Sequence, residues 1–241
     1  MNCRLALVNA FDYAAALKMV AVTDKVSGGS PLHGAIPSGV LGYDETLPPM
    51  KRDLDAAKKY LEQCKYKPGD TTLELSWVGE VPIEERFALL MQANFAEIGI
   101  KSEIKKIPWA LFSEQVTKPE NTPNVSQVYV ATVTGDPDTL LYGMYHSSAA
   151  GTWQSPEYLK DAKVDELLEK GRTAASDAER AAAYQALNKR LIELAPDIFA
   201  YDQTAVFATS KRVAAPTLSD PSKAFGLSGM NFAYRLMEMN Q

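Results

Sequence analysis

The sequence lacks the features that would indicate a membrane span or a nucleic-acid partner. No apolar stretch approaches the roughly 20 residues that a membrane-spanning helix needs. Residues 1–20 are interrupted by Asn, Asp and Lys and do not fit a signal peptide, so we expect no signal sequence in this chain. Positive charge is not in excess, since 25 Lys and Arg stand against 30 Asp and Glu. Nucleic-acid binding depends on clustered positive charge, so we expect no nucleic-acid partner.

Cysteine and histidine are scarce, with two of each in the chain. Cys3 and Cys64 fall in predicted helices and have no histidine at a metal-ligand spacing. We therefore expect two buried free thiols rather than a disulfide, and no metal site. Gly28-Gly29 lacks the spacing and the following lysine of a phosphate-binding loop. The sequence thus predicts neither a metal nor another cofactor.

The middle of the sequence carries the clearest structural pattern. Polar and apolar residues alternate over residues 71–77, which predicts a strand. A helix is predicted from Pro82 to about Glu97, and a second strand over Lys101–Ile107. Strand, helix and strand in succession predict a parallel βαβ unit. β-branched residues predict a third strand over Val125–Val133, so this region is α/β.

Helices dominate the two ends of the sequence. Apolar spacing predicts a helix over residues 3–20, and the breakers between Ser27 and Pro49, four Pro and five Gly, predict a loop. Further patterns predict a helix that begins at Asp53, helices over Val164–Gly171 and Asp177–Leu194, a stop at Pro196, and strands over Ile198–Tyr201 and Ala205–Thr209. No periodicity is visible from about Ala214 onwards.

Two motifs invite a catalytic or metal-binding interpretation. His146-Ser147 places a base beside a hydroxyl, which leaves a hydrolase as an alternative, although neither a nucleophile elbow nor a third orienting group is recognisable. Asp136-Pro137-Asp138 places two carboxylates close together, but further acidic ligands are lacking nearby. The same motif is typical of a turn that starts a helix, which is the interpretation we prefer.

A binding interpretation follows from the ends of the predicted strands. Ligands of open α/β sheets lie beyond the carboxyl ends of parallel strands. Trp77 and Glu80 mark one such end, and Asp136 marks another. Trp77 either stacks on a ligand or packs in the core. Glu80 and Asp136 either pair with a ligand ammonium or cap the helices that follow them.

Several short segments share the order and spacing of a known family over roughly residues 3–210. They comprise Arg4, Ala6, Leu7, Ala10 and Asp12; Ile36-Pro37 and Gly42-Tyr43; Asp53, Ala57, Lys58 and Leu61; Gln92 and Ile98-Gly99-Ile100; Val133–Asp138; and Val164, Asp165, Leu167, Leu168, Arg172, Asp177, Arg180, Tyr184, Ala195-Pro196, Ile198 and Tyr201. Together they resemble the bacterial extracellular solute-binding protein family 5, which includes peptide, nickel and opine receptors.

The resemblance implies one α/β lobe of a type II periplasmic-binding protein, with a mixed, mostly parallel sheet flanked by helices. Such receptors close two lobes around a ligand about a hinge. The sequence begins where the C-terminal lobe of the family begins, so we expect a truncated chain that lacks the N-terminal lobe. Residues 1–213 are the expected ligand-binding lobe, and residues 214–241 are the expected tail returning toward the missing lobe.

The resemblance also implies a function without catalysis. We expect the substrate-binding component of an ABC importer, which in the full-length protein works with an ABC permease in the periplasm or elsewhere outside the cytoplasm. The expected ligand is an oligopeptide or a cationic organic solute. A ligand-free interaction module, which would show a flat apolar face, is a further alternative to the hydrolase.

Departures from the family pattern bear on the ligand. Val133 stands where the family has a cleft tryptophan, which removes a stacking surface, and Asp136 resembles the aspartate that holds a peptide ammonium. Trp153 lies in a segment that resembles one found in some members of the family, and it either lines the cleft or packs in the core. The predicted ligand-binding residues are Trp77, Glu80, Val133, Thr134, Gly135, Asp136 and Trp153, with no catalytic residue.

Overall fold

A computed structural model describes residues 1–132, 134–215 and 236–239 of the chain. The helices are α1 Asn2–Ala10, α2 Tyr13–Met19, α3 Leu54–Glu62, α4 Ile83–Ala96, α5 Trp109–Gln115, α6 Pro137–Tyr145, α7 Ala162–Thr173 and α8 Asp177–Leu194, with a 3-10 turn at Ser147–Ala149. The strands are β1 Gly29–Ser30, β2 Thr72–Val78, β3 Lys101–Ile107, β4 Val125–Ser126, β5 Asp202–Gln203, β6 Val213–Ala214 and β7 Glu238–Met239.

The predicted βαβ unit is confirmed as the centre of the fold. β2 lies between β3 and β4 and pairs in parallel with both. α4 makes the crossover and buries Phe87, Met91 and Phe95 in one apolar cluster with Leu75 of β2. The last four residues of β2 are all buried, as expected of a central parallel strand covered on both faces.

One predicted strand is shorter than its pattern indicates, and two others do not form. Among the described residues, the strand predicted over Val125–Val133 pairs only at Val125–Ser126, and no strand forms over Ile198–Tyr201 or Ala205–Thr209. β-propensity measures how well a side chain fits a pleated, half-buried surface, and it does not supply a neighbouring strand. β4 pairs with β2 at two residues, Val125 with Leu75 and Ser126 with Ser76.

The helix predicted over residues 3–20 is divided into α1 and α2. The Asp12 carboxylate accepts the Ala15 N–H at 2.9 Å, and the Asp12 N–H donates to Asn94 Oδ1 at 2.8 Å. These bonds replace the helical hydrogen bonds at this point, because a short acidic side chain competes effectively for nearby backbone amides. The break allows α2 to contact α4.

The expectation of two free thiols is wrong, because Cys3 and Cys64 form a disulfide. Cys3 lies in the first turn of α1, and Cys64 follows the end of α3. The two helices pack together, and the Cα atoms of the cysteines are 4.8 Å apart. Their 61-residue separation in sequence conceals this proximity. Disulfides persist mainly in oxidising compartments outside the cytoplasm.

The last three helices form a second apolar cluster. Leu141 of α6, Leu168 of α7 and Leu187 of α8 are fully buried together. α8 has the predicted bounds, Asp177–Leu194, because the Ser176 side chain caps its start and it ends before Pro196. Arg4 of α1 donates to the main-chain oxygens of Leu194 and Ala195 and so connects the two clusters.

Part of the predicted tail lies outside the described residues. Val213–Ala214 pairs antiparallel with Glu238–Met239, whereas residues 216–235 and 240–241 are not described. The boundary at residue 213 therefore stays a prediction. Within residues 1–132, 134–215 and 236–239, no helix combines the length and apolar character that crossing a bilayer requires.

The disulfide should contribute measurably to stability. Replacing both Cys3 and Cys64 with Ala should lower the free energy of unfolding by about 4 kcal/mol, because the loop that the bond closes gains freedom in the unfolded chain. Chemical denaturation of both proteins, with and without dithiothreitol, measures the difference. Reductant should destabilise the wild-type chain and leave the double variant unchanged. Equal free energies of unfolding for the oxidised wild-type chain and the double variant would contradict this prediction.

Candidate functional site

The carboxyl ends of β2 and β3 meet at one edge of the sheet. Val78 is the register partner of Ile107, and the Gly79 N–H donates to the Ile107 carbonyl at 2.9 Å. The exposed Glu80 follows directly, and its carboxylate oxygens accept the Trp109 N–H at 3.1 and 3.3 Å. The parallel register therefore places an acidic side chain beside the first residue of α5.

The tryptophan whose main chain binds this carboxylate contacts a second tryptophan. Trp109 and Trp153 are 39% and 37% exposed, and the centroids of their rings are 5.4 Å apart at an interplanar angle of 69°. We call Glu80, Trp109 and Trp153 the strand-end site. Sequence reasoning selected Glu80 and Trp153 but missed Trp109 as a site residue. Its position at the carboxyl end of β3, directly after Pro108, is the signal that could have identified it.

The loop that carries Trp153 is attached to the rest of the lobe by hydrogen bonds. The Gly151 N–H donates to the Ser155 carbonyl at 3.1 Å, which closes the loop on itself. The Tyr158 hydroxyl donates to the carbonyl of Val116, the residue after α5, at 2.7 Å. Trp153 and Trp109 are thus held against each other from two separate segments.

A buried glutamate, Glu84, binds the main chain of the last residue of β2. Glu84, only 2% exposed, accepts the Val78 N–H at 2.8 Å, and its own carbonyl accepts from Gln127 Nε2 at 2.9 Å. Burial raises the pKa of Glu84 to about 7, against the lowering effect of the Val78 amide. Sequence reasoning missed this residue because a first-turn helical Glu is usually solvent-exposed.

Trp77 lies in the interior of the lobe. Its side chain is 5% exposed, and Lys106 Nζ lies 5.1 Å from the centroid of its ring. The packing alternative accounts for this position. A stacking role toward a ligand stays a prediction.

Asp136 has structural partners for its carboxylate. It accepts the Asp138 N–H at 2.9 Å and caps α6, and Arg180 Nη2 donates to both of its oxygens at 2.8 and 2.7 Å. Burial would raise the pKa of Asp136, but the hydrogen bond and charge of Arg180 and the Asp138 amide outweigh it, so the pKa is lowered. The capping alternative accounts for this arrangement, and the ammonium-binding role stays a prediction.

The residues before Asp136 are only partly described. Thr134 and Gly135 are exposed, and Gly135 has a φ of 77°, which favours glycine. Val133 lies outside the described residues. Among the described residues, no hydrogen bond or salt bridge joins Thr134 or Gly135 to Glu80, although β2 and β4 are neighbouring strands.

The side chains of the hydrolase alternative do not pair as that alternative requires. The Ser147 hydroxyl donates to Asp165 Oδ2 at 2.6 Å rather than to His146. His146 Nδ1 accepts the Ser148 N–H at 3.2 Å and caps the 3-10 turn, with the Ser148 hydroxyl 2.7 Å away. Among the described residues, no three His, Cys, Asp or Glu side chains are grouped as metal ligands.

A cavity of about 350 Å³ lies elsewhere, between residues 122–130 and 195–203. Side chains of α1, α4 and α6 contribute to its apolar lining, and no residue of the strand-end site lines it. At its polar end Tyr145 donates to Asp197 Oδ2 at 2.8 Å. Burial, followed by the negative charge of Asp197, raises the pKa of nearby Glu157 to about 8. The cavity lies next to the carboxyl end of β4, and the exposed Tyr129 is part of its lining.

Residues 1–152 match the family described as "Bacterial extracellular solute-binding proteins, family 5 Middle". The match covers more than half of the chain, and the chain belongs to this family. The chain is 24% identical over 185 residues to the probable D,D-dipeptide-binding periplasmic protein DdpA of Escherichia coli, covering 77% of the chain and 35% of that protein. It is 27% identical over 191 residues to protein XP55 of Streptomyces lividans, covering 74% of the chain and 34% of that protein. The chain thus spans about a third of the length of these curated relatives.

Solved structures confirm the predicted fold, a lobe of a type II periplasmic-binding protein. The ABC transporter substrate-binding protein CtaP of Listeria monocytogenes has a TM-score of 0.79 at 20% identity, covering 91% of this chain and 44% of that one. DppA of Helicobacter pylori, solved in complex with the peptide STSA, has a TM-score of 0.68 at 24% identity, covering 83% of this chain and 37% of that one.

The structural role of Asp136 can be tested by substitution. Asp136→Ala should lower the free energy of unfolding by about 1–2 kcal/mol, because the helix cap and the Arg180 pair are both lost. Asp136→Asn should cost less, since the amide oxygen can still cap α6. Urea denaturation measures both. Asp177→Ala removes a far more exposed carboxylate 3.8 Å from the same Arg180 and should cost less than about 0.5 kcal/mol. Full stability of Asp136→Ala would show that the carboxylate is not needed for folding.

Proposed function

We propose that the chain is the C-terminal lobe of the substrate-binding component of an ABC importer. The observation that carries the proposal is the strand-end site, where a carboxylate and two indole rings are exposed at the carboxyl ends of parallel strands. Open α/β lobes bind ligands at this edge. An exposed edge of this kind becomes an enclosed site when a second lobe closes over it.

The proposed ligand is a peptide or a similar small organic solute, held in the cleft between this lobe and an N-terminal lobe. The peptide complex of the H. pylori protein supports this class, and the chain spans only 37% of that protein. In this proposal Glu80, Trp109 and Trp153 line the cleft. Val133, Thr134, Gly135 and Asp136 form its second edge, and Trp77 supports it from the interior.

The proposal extends to the partners and the compartment of the whole protein. The full-length receptor would deliver its ligand to an ABC permease on the outer side of the cytoplasmic membrane. The Cys3–Cys64 disulfide supports an extracytoplasmic location, because such bonds are rare in reducing compartments. Residues 1–213 form the ligand-binding lobe in this proposal, and residues 214–241 return toward the N-terminal lobe.

The two alternatives have less support. A hydrolase would use His146 with Ser147, and the Ser147 hydroxyl is bound to Asp165 instead. A ligand-free interaction module would present a flat apolar face, whereas the strand-end site combines indole rings with a carboxylate. The family and the H. pylori protein are described as binding proteins, which favours a function without catalysis.

Native mass spectrometry of the full-length receptor tests this function. Receptor purified under native conditions should retain a small organic adduct. The Trp109→Ala receptor should lose most of it, because an exposed indole supplies much of the contact area of a binding site. The 241-residue chain alone should retain little, since half of the cleft would be missing.

Leu89→Ala is the matched control for this experiment. Leu89 is an exposed apolar side chain on α4, outside the strand-end site, so its removal should leave the adduct unchanged. Absence of an adduct from the full-length receptor, even after incubation with peptide mixtures, would contradict the proposal. Equal occupancy in the receptor and in the 241-residue chain would contradict the two-lobed site.

A further inference from the structure

The strand-end site combines one carboxylate, bound to the main chain of Trp109, with two indole rings that contact each other. The Glu80 oxygens lie on the backbone N–H of Trp109, at 3.1 and 3.3 Å. The Trp153 ring meets the Trp109 ring at a steep angle of 69°, so the two indoles form a corner rather than a stack. Both tryptophans are more than a third exposed, although the Trp109 ring also contacts Phe112, with centroids 5.6 Å apart.

Among the described residues, the Glu80 carboxylate has a backbone N–H as its partner and no cationic side chain. In the part of the chain that the structure describes, Glu80 forms no salt bridge, whereas Asp136 is neutralised by Arg180. Other aromatic rings of the lobe already carry a cation: Lys106 lies over Trp77 and Arg172 over Tyr142. Over residues 1–132, 134–215 and 236–239, neither Trp109 nor Trp153 has a lysine or arginine above its ring.

These features define the charge and shape of a ligand group. The face of an indole attracts a cation through its quadrupole, and ammonium groups bound among aromatic side chains are a common use of this attraction. A carboxylate at the same place neutralises one positive charge. A bare divalent metal is a poor match, because it needs several oxygen ligands and the described residues show no such group here.

We propose that the strand-end site binds an organic cation with an alkylated ammonium group, whose nitrogen lies against Trp109 and Trp153 and is neutralised by Glu80. This inference rests on the proposed function and narrows its ligand class. Glu80 is the carboxylate of the strand-end site without a cationic partner among the described residues, which suits a bound group with a single positive charge. An anionic group would be repelled by Glu80, and a neutral group would lose the attraction of the indole faces.

Titration of the 241-residue chain with choline, followed by NMR of its indole N–H signals, tests the inference. The neutral comparison ligand is 3,3-dimethylbutan-1-ol, which has nearly the same shape as choline without the charge. Choline should shift the Trp109 and Trp153 signals and leave the buried Trp77 signal unchanged. The neutral alcohol should bind at least 5-fold more weakly. Equal responses to the two compounds would overturn the inference.

Variants assign the contributions of the three side chains. Glu80→Gln and Trp153→Leu should each weaken choline binding by about 3- to 30-fold, the range expected for one lost cation–π or charge contact. Trp109→Phe keeps a ring with a weaker quadrupole and should lose part of the affinity, while its NMR spectrum reports that the chain is folded. Glu62→Gln is the matched control, because it removes one exposed charge on α3 and should leave choline binding unchanged.

The failure of this inference can be told apart from the failure of the proposed function. A full-length receptor that retains an uncharged adduct, with no response to choline, would overturn the cation preference and leave the receptor function standing. An unchanged choline affinity in Glu80→Gln would likewise overturn the role of that carboxylate. A receptor with no adduct of any kind would remove the proposed function itself.

Discussion

The parallel register between β2 and β3 is the constraint on which the candidate site depends. Thr72 pairs with Lys101 and Val78 with Ile107, so both strands end at the same level of the sheet. A shift of one residue would turn every side chain of one strand to the opposite face. The Glu80 carboxylate would then no longer meet the Trp109 amide. The buried face of α4 holds this register, because its apolar side chains pack on the strands that it connects.

Much of this architecture could be predicted because the signals are local. The change from a period of two residues to one of 3.6 identifies β2, α4 and β3. The bounds of α8 follow from the Ser176 cap and from Pro196. The Cys3–Cys64 bond could not be predicted, since it depends on the packing of α1 against α3. The length of β4 was also beyond the local signal, because strand pairing depends on a neighbour as well as on β-branched residues.

In the candidate site, too, features set by neighbouring residues could be predicted, whereas those set by distant residues could not. Glu80 could be selected because it follows a strand at the edge where ligands bind. The role of Asp136 could not be settled, since its cap is local but its partner Arg180 lies 44 residues further along the chain. Trp109 was missed as a site residue because its exposure and its contact with Trp153 appear only when separate segments fold together. A carboxylate that caps or pairs within the lobe and one that faces solvent look alike in sequence.

Hydrogen–deuterium exchange of the full-length receptor, with and without its bound ligand, tests the central claim most directly. The claim is that ligand binds at the strand-end site, between the lobes, and not in the cavity between residues 122–130 and 195–203. Amides around residues 79–81, 108–110 and 151–154 should exchange more slowly when ligand is bound. Unchanged exchange there, together with slower exchange at residues 122–130 and 195–203, would contradict the account and place the ligand in the cavity.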